Sequence, residues 1–505
     1  MIRIAKARTA QNGKQPSDLI QGEYRDMKLH KALPASHLPV VLSMIIGLCV
    51  GATVASAQTA APAIVPPSTA TILVNFDGTN GQDPFTENLV QGKDGNIYGT
   101  TTYGGSSNQG IIFKMTPAGA ITTLHTFTGV GTDGSIPESG LVLGVDGNFY
   151  GTASQGGTGD FGIVYKITPA GTFTSLHSFD ETDGAFPASA LVQGTDKNFY
   201  GTTEYGVPGI YGTAFKISST GTFTSLVSFD DTNGYEPIGG MVQGTNGDFY
   251  GTTATGGASD LGLVFQMTSA GALTTLQSFD NTDGWEPEGQ LIQAANGDFY
   301  GTTLRGGANG DGEVFQITAA GALTVLHSFD VTDGYEPNDG LVQATDGNFY
   351  GTTTSGGTGS PSEDGTIFEL TPGGTLSTLY NFTGYQGDGG SPFGGLLQYT
   401  SGAFYGVTSG GGTGELGTVF SFSNGLHAFV KLLPATGKAG ATITILGGNL
   451  STVTAVSFNG TTAAFTKGSN SFLTATVPAG ATSGTVSVTI KSGTLKSNVK
   501  FRVTP

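Results

Sequence analysis

Three aromatic–glutamate–proline steps recur at fixed spacing: Tyr235-Glu236-Pro237, Trp285-Glu286-Pro287 and Tyr335-Glu336-Pro337. Aromatic planes beside carboxylates suit sugar rings, whose C–H faces pack on the aromatic while their hydroxyls bond to the acid. Arg305, the sole arginine between residue 57 and Arg502, adds a cation to the candidate ligand-binding set. The blander reading is that each aromatic shields the next strand and each Glu is a solvated cap. The same stretches carry carboxylate pairs, Asp180/Asp183, Asp280/Asp283 and Asp330/Asp333, each pair followed by a glycine, with a related Asp230-Asp231-x-Asn233-Gly234 between them. Clustered carboxylates are plausible oxygen ligands for Ca²⁺. Their spacing is not that of a D-x-[DN]-x-[DN]-G loop, however, and Asp-Gly is a common turn dipeptide, so Asx-turn capping is the favoured reading. No other cofactor is expected.

Evidence for catalysis is thin. There is no G-x-S-x-G, no H-E-x-x-H and no P-loop. Glu236, Glu286 and Glu336 are candidates for an acid–base pair in glycoside cleavage, but duplication alone places carboxylates on adjacent repeats. His125, His177, His327 and His427 take one repeated strand position, where Val227 and Gln277 also occur, so they read as structural. No residue is assigned a catalytic role.

The positions of these residues follow from a repeat. Tyr98, Tyr150, Tyr200, Tyr250, Tyr300, Tyr350 and Tyr405 lie 52, 50, 50, 50, 50 and 55 residues apart. Between them run short β-branched and aromatic segments bounded by Asp-Gly or Pro-x-Gly turns. In residues 138–184 the strands are 141–143, 149–152, 163–167 and 173–179. Four antiparallel strands per unit and seven units predict an all-β fold, a seven-bladed β-propeller. Adjacent aromatics such as Phe149 and Tyr150 point to opposite faces of their strand, one toward each neighbouring blade. Closure has two solutions: residues 71–76 complete the seventh blade, which is favoured, or 426–430 do so after an Asn424-Gly425 turn. The turns after the first and third strands form a monotonous face. The Gly-rich loops and inter-blade connections form a variable one, which is where a ligand is expected.

The unit G-L-V-Q-G-T-D-G-N-F-Y-G-T-T … T-V-F-K-I-T-P-A-G-T-L-T-T-L-H-S-F-D resembles the GloVer tandem repeat of exported bacterial proteins. Its D-G-N-F-Y-G-T core is similar to the repeat of two-component-regulator propellers. Departures are Lys197 in place of the turn glycine and Val407 in place of threonine. The resemblance covers about residues 71–430 and implies exported repeat architecture, with no catalytic residues to carry over. Residues 431–505 change character, with Leu433-Pro434-Ala435-Thr436-Gly437, Gly447-Gly448-Asn449-Leu450, Val477-Pro478-Ala479-Gly480 and Gly484-Thr485-Val486-Ser487-Val488. This segment resembles the IPT/TIG immunoglobulin-like domain, and its short alternating strands independently suggest a small β-sandwich. Such domains serve as spacers or interaction modules.

Residues 38–54 are apolar, and Ala55-Ser56-Ala57 forms a cleavage site, so 1–57 is read as an N-terminal extension and signal peptide, with Met27 the more ordinary start. Residues 58–70 are a Pro/Ala-rich linker. The one cysteine, Cys49, lies inside the signal and follows Leu48, which argues against lipidation. The mature chain is expected to be secreted or at the cell surface, with no transmembrane segment after cleavage. Formal charge is −18 overall, but residues 58–430 hold six basic and 35 acidic side chains, while 431–505 hold seven basic and none acidic. The acidic ring repels nucleic acid; the basic segment is free to attract an anionic envelope component or to dock on its own ring. The reading is an exported, non-enzymatic scaffold for polysaccharide or envelope components. A carbohydrate-active hydrolase or lyase on the variable face and a purely structural matrix protein are the alternatives.

Overall fold

The computed structural model describes residues 69–84, 89–206, 211–358, 364–384 and 388–504. The expected signal peptide and nearly all of the linker lie outside the described residues. Within them the chain is all-β apart from one short 3₁₀ turn, Leu450–Thr452. Each 50-residue unit forms a four-stranded antiparallel sheet in sequence order. The second sheet comprises Val142–Leu143, Phe149–Ala153, Ile163–Ile167 and Phe173–Ser178, close to the expected strands. The fifth comprises Ile292–Gln293, Phe299–Thr303, Glu313–Ile317 and Leu323–Ser328.

The D-G-N-F-Y-G-T signature can now be read atom by atom. Asp146 accepts from the Asn148 backbone N–H at 3.1 Å and so closes the turn. Its other oxygen accepts the Tyr150 hydroxyl at 2.8 Å. Tyr98, Tyr200 and Tyr350 bond to Asp94, Asp196 and Asp346 in the same way. In the fourth and fifth sheets the turn reads Asn-Gly-Asp, and the polarity reverses. Asn246 and Asn296 donate to the hydroxyls of Tyr250 and Tyr300 at 2.9 Å. The displaced carboxylates, Asp248 and Asp298, accept from Gln266 and Gln316 at 2.7 Å, on the strand position that Lys166 and Lys216 hold in the second and third sheets. A buried phenol needs such a partner, because leaving it unsatisfied costs about 1–3 kcal/mol. Gly147 sits at φ 90°, a left-handed position that glycine takes without penalty. Lys197 adopts φ 70° in the same slot and bears the strain.

The preceding aromatic faces the other way. Tyr98 stacks on Phe149 of the next sheet at 4.0 Å between ring centroids, Tyr150 on Phe199 at 3.8 Å, Tyr250 on Phe299 at 3.9 Å and Tyr300 on Phe349 at 4.2 Å. Tyr200–Phe249 and Tyr350–Phe404 repeat the contact with tilted rings. Every sheet therefore shares an apolar cluster with its successor. A further cluster joins Tyr405, Val407 and Val419 of the seventh sheet to Ile97, Ile111 and Phe113 of the first, so the contacts form a closed, propeller-like cycle. The seventh sheet takes its outer strand from the other end of the chain: Ala70–Asn75 pairs antiparallel with Thr418–Phe422. Residues 426–430, the alternative, form no strand of that sheet; Val430 makes only an isolated bridge, to Ser497. His427 therefore leaves the repeated strand position expected for it, and that register in the seventh sheet belongs to Val74.

Residues 431–504 form two four-stranded sheets around one core. Lys431–Leu433, Thr442–Leu446, Phe472–Thr476 and Phe465–Lys467 make the first; Thr461–Thr462, Ala455–Phe458, Val486–Ile490 and Gly493–Lys496 make the second. Ile443, Ile445, Leu473, Val456, Phe458 and Val488 fill the space between them. This segment docks on the ring's turn face. Leu446, Leu433 and Phe472 join the cluster between the first and second sheets. Ser471 Oγ donates to the Lys93 carbonyl at 2.7 Å, and Arg502 donates to the Thr245 carbonyl. The face expected to be merely monotonous is thus an internal interface.

Removing residues 1–76 strips the strand paired with Thr418–Phe422 and the buried Phe76. The expected outcome is an aggregating protein with a lowered melting transition, whereas removing residues 1–68 leaves melting unchanged. Light scattering and calorimetry on the two truncations check this; equal behaviour would contradict the closure. At an interior joint, Phe249→Ala is expected to destabilise by about 3–5 kcal/mol.

Candidate functional site

Each inter-sheet connection turns on the residue before its proline. Asp83, Ile136, Phe186, Glu236, Glu286, Glu336 and Ser391 all take positive φ, between 46° and 56°. Even β-branched Ile136 does so, so the fold rather than the chemistry imposes this conformation. Backbone hydrogen bonds hold it in place. Glu286 N–H donates to the Leu261 carbonyl of the preceding sheet's loop, and the Glu286 carbonyl accepts from Leu304 at 2.9 Å. Trp285 and Arg305 exchange backbone hydrogen bonds at 2.8 and 3.2 Å, and Tyr235–Thr255 and Tyr335–Ser355 pair likewise. Each aromatic–Glu–Pro step is thereby fixed against the loop after the second strand of its own sheet.

Four of the seven candidate ligand residues converge. The Arg305 guanidinium lies 3.1 Å from Glu336 Oε1 and 3.5 Å from Glu286 Oε2, and its Cζ is 5.9 Å from the centre of the Trp285 ring. Arg305 is 46% exposed, so these pairs orient it in solvent and contribute only ~0–1 kcal/mol each. The result is an indole plane and a guanidinium flanked by two carboxylates. Tyr235 and Glu236 belong to a separate group. The Tyr235 hydroxyl donates to Asp260 at 3.0 Å and its ring meets Tyr211 edge-on at 5.7 Å. Burial first, then the Asp260 bond, pushes its phenol up to about 12. Glu236 Oε2 accepts from Thr255 Oγ1 at 3.2 Å. Tyr335 stands beside Glu336, at the edge of the arginine cluster.

The carboxylate pairs proposed for Ca²⁺ serve the backbone instead. Asp180 Oδ1 accepts from the Thr182 N–H and hydroxyl at 3.0 and 2.6 Å, and Asp183 Oδ1 accepts from the Asp180 N–H at 3.2 Å. Asp280/Asp283 and Asp330/Asp333 repeat this cap. The threonine hydroxyl bonds, foremost, hold Asp180, Asp280 and Asp330 below the ordinary carboxylate value. The second member of each pair has one further partner. His177 and His327 Nε2 lie 2.7 and 2.9 Å from Asp183 and Asp333, His125 lies 3.1 Å from Asp133, Gln277 donates to Asp283, and Tyr380 donates to Asp388. Where that strand position is apolar, at Val74 and Val227, the turn residue is neutral: Asn80 and Asn233. A half-buried carboxylate is used only where a polar partner faces it. Among the described residues no three His, Cys, Asp or Glu side chains converge as a metal site.

Sequence reasoning missed a second set of acids. Burial pushes Glu138 up to about 7 and Glu204 up to about 8, and the charges of Glu236, Glu138 and Glu288 add to the shift at Glu204. Burial also raises Asp339, which accepts from the backbone N–H groups of Gly340 and Gly395. Glu138 and Glu288 follow the connection prolines, where the third and fourth sheets carry Ala188 and Ile238; that break in the repeat was the available signal. On the opposite, turn face, an open cleft of about 840 Å³ separates Lys93, Asp94 and Pro117 from Asn470 and Phe472.

The Gloeobacter/Verrucomicrobia repeat family matches residues 63–246 and 238–473, and the chain belongs to that family. Among curated proteins none matches. A fungal alcohol oxidase of the AA5 family, solved with copper, is similar in structure: TM-score 0.50, 14% identity, covering 87% of this chain and all of the other. That likeness concerns the fold. A periplasmic gluconolactonase from Pseudomonas aeruginosa shows 16% identity and a TM-score of 0.42, over 66% of this chain and 97% of its own.

Glu204 carries a linked prediction. Its folded value, about 8, lies above the ordinary 4.5, so the stability it contributes is full below pH 4.5 and is lost as pH rises through 8. Glu204→Gln is expected to raise the melting temperature above pH 8 and to leave it unchanged near pH 4. Parallel melts across that window check it; a pH-independent difference would contradict the assignment.

Proposed function

We propose that the protein is an exported seven-bladed β-propeller, residues 71–430, carrying an immunoglobulin-like domain of the IPT/TIG type, residues 431–505, and that it binds polysaccharide or another envelope component through its loop face. The closed cycle of sheet contacts and the single core between the two C-terminal sheets support the architecture. The repeat family is compatible with export, as is the lack, among the described residues, of any helix long and apolar enough to cross a membrane. Export itself is assigned to the apolar 38–54 segment and cleavage after Ala57.

One observation carries the ligand reading. The C-terminal sheets sit on the turn face, and the Trp285–Arg305–Glu286–Glu336 cluster lies on the loop face. Arg305 is balanced by two carboxylates, so the cluster favours a neutral polyol over an anion: the indole offers a flat apolar surface and the glutamates accept hydroxyl protons. Binding without turnover is favoured because both glutamates already engage the arginine.

A glycan array probed with residues 58–505 tests this. A neutral hexose polymer is expected to bind, and Trp285→Ala to weaken it at least tenfold, about 1.4 kcal/mol or more. No retained glycan, or a ligand indifferent to Trp285→Ala, would remove the reading. Product release abolished by Glu286→Gln would establish the hydrolase or lyase alternative instead.

A further inference from the structure

The fifth sheet breaks the repeat at one buried position. At the register occupied by Ile111, Ile163, Thr213, Leu263, Thr366 and Thr418 in the other sheets, it carries Glu313, which is 1% exposed. Its cross-strand partner is Thr303, fully buried. In the third, sixth and seventh sheets the corresponding threonines bond to each other, Thr203 to Thr213 at 2.8 Å, Thr353 to Thr366 at 2.9 Å and Thr408 to Thr418 at 2.8 Å. In two of those sheets the second threonine also donates to the carbonyl oxygen of the connection aspartate, Asp183 or Asp333. The matching carbonyl in the fifth sheet is that of Asp283. Here a donor has been replaced by a carboxylate that faces acceptors.

The consequences are visible atom by atom. Glu313 Oε2 and Thr303 Oγ1 are both buried without a hydrogen-bond partner. Glu313 Oε1 accepts from Ser328 Oγ at 2.7 Å. In four other sheets the residue equivalent to Ser328 instead accepts from the loop backbone, as Ser178 does from Thr158, Ser278 from Ala258, Asn381 from Thr358 and Asn75 from Thr413. Ser328 has been diverted from the loop to the carboxylate. The turn Gly306-Gly307 lies directly over it, and a side chain at Gly307 would collide with the Glu313 carboxylate. Oxygens that ligate one cation at about 2.3–2.6 Å stand close together whether or not a proton lies between them, and orphaned buried polar atoms are where an ion is to be sought.

We propose that Glu313, Thr303 Oγ1, Ser328 Oγ and the Asp283 carbonyl hold one calcium ion beneath the Gly306-Gly307 turn. The donor set is all oxygen, which selects a hard cation over zinc or copper. With a single carboxylate, affinity falls in the range of about 10⁻⁴–10⁻³ M typical of extracellular modules. The ion ties two strands to the loop that begins with Arg305, so it would stiffen the cluster above it. The site uses the Asp283 carbonyl and not the cap carboxylates, whose oxygens already accept from backbone and side-chain donors.

The full chain, stripped with chelator, is titrated with Ca²⁺, Mg²⁺ and Na⁺ while bound calcium and melting temperature are followed. The wild type is expected to bind one Ca²⁺ per chain and to melt higher with it than with Mg²⁺ or Na⁺ at equal ionic strength. Glu313→Thr restores the threonine pair used by three other sheets; it is expected to fold and to bind none. Glu313→Gln, close in shape, is read the same way should Glu313→Thr not fold. No bound calcium in the wild type means a protonated or hydrated Glu313 and overturns the proposal. Calcium retained by both variants, or a response to Na⁺ alone, overturns it equally.

Discussion

Two adjacent aromatic residues on one strand, facing opposite ways, carry the architecture. Phe149 and Tyr150 cannot share a face, so one side chain must pack backward and the other forward. Tyr150 therefore meets Phe199 at 3.8 Å, and the same handshake joins each sheet to the next from the first to the seventh, while at the seam Tyr405 shares a cluster with Ile97. Each stacked pair adds roughly 0.5–1.5 kcal/mol beyond the area it buries. The tyrosine also has a polar tip that must be satisfied inside the joint, and this constraint shapes the neighbouring turn. The turn aspartate closes its own backbone and takes the hydroxyl; where it becomes asparagine, the donor and acceptor exchange and a glutamine donates to the displaced carboxylate.

A cycle of such joints works only if the last sheet meets the first. Pairing of Ala70–Asn75 with Thr418–Phe422 joins the two ends of the repeat in one sheet, so the seventh sheet has four strands like the others. The same rule of matched partners governs the outer strands. His, Gln or Tyr appears where the connection carries Asp, and Val appears where it carries Asn. Glu313 is conspicuous because it breaks this economy: a carboxylate has entered a position built for apolar or hydroxyl side chains, and its neighbours do not satisfy it.

The repeated signature made the sheets, their strand order and the opposite facing of the aromatic pair legible, because each depends on residues within one repeat unit. The variable face was likewise readable from loop composition, and Trp285, Glu286, Arg305 and Glu336 do converge there. What stayed hidden depends on strand register, on burial and on contacts across sheets or domains. The partner of Asp183 is a histidine six residues earlier on a strand, recognisable only once the strand register is known. Nothing in the sequence marks Leu446 and Phe472 as the residues that reach into the joint between the first and second sheets. Glu204 is an ordinary loop acid in sequence and acquires its raised pKa from burial first, with the carboxylates brought around it adding to the shift.

Amide hydrogen exchange across the seam tests the closed cycle most directly. The amides of Thr418–Phe422 and Ala70–Asn75 are expected to exchange together, as slowly as those of an interior sheet such as Leu263–Met267 with Leu273–Ser278. Fast exchange confined to 70–75, with the seventh sheet otherwise protected, would show an open seam and contradict the account.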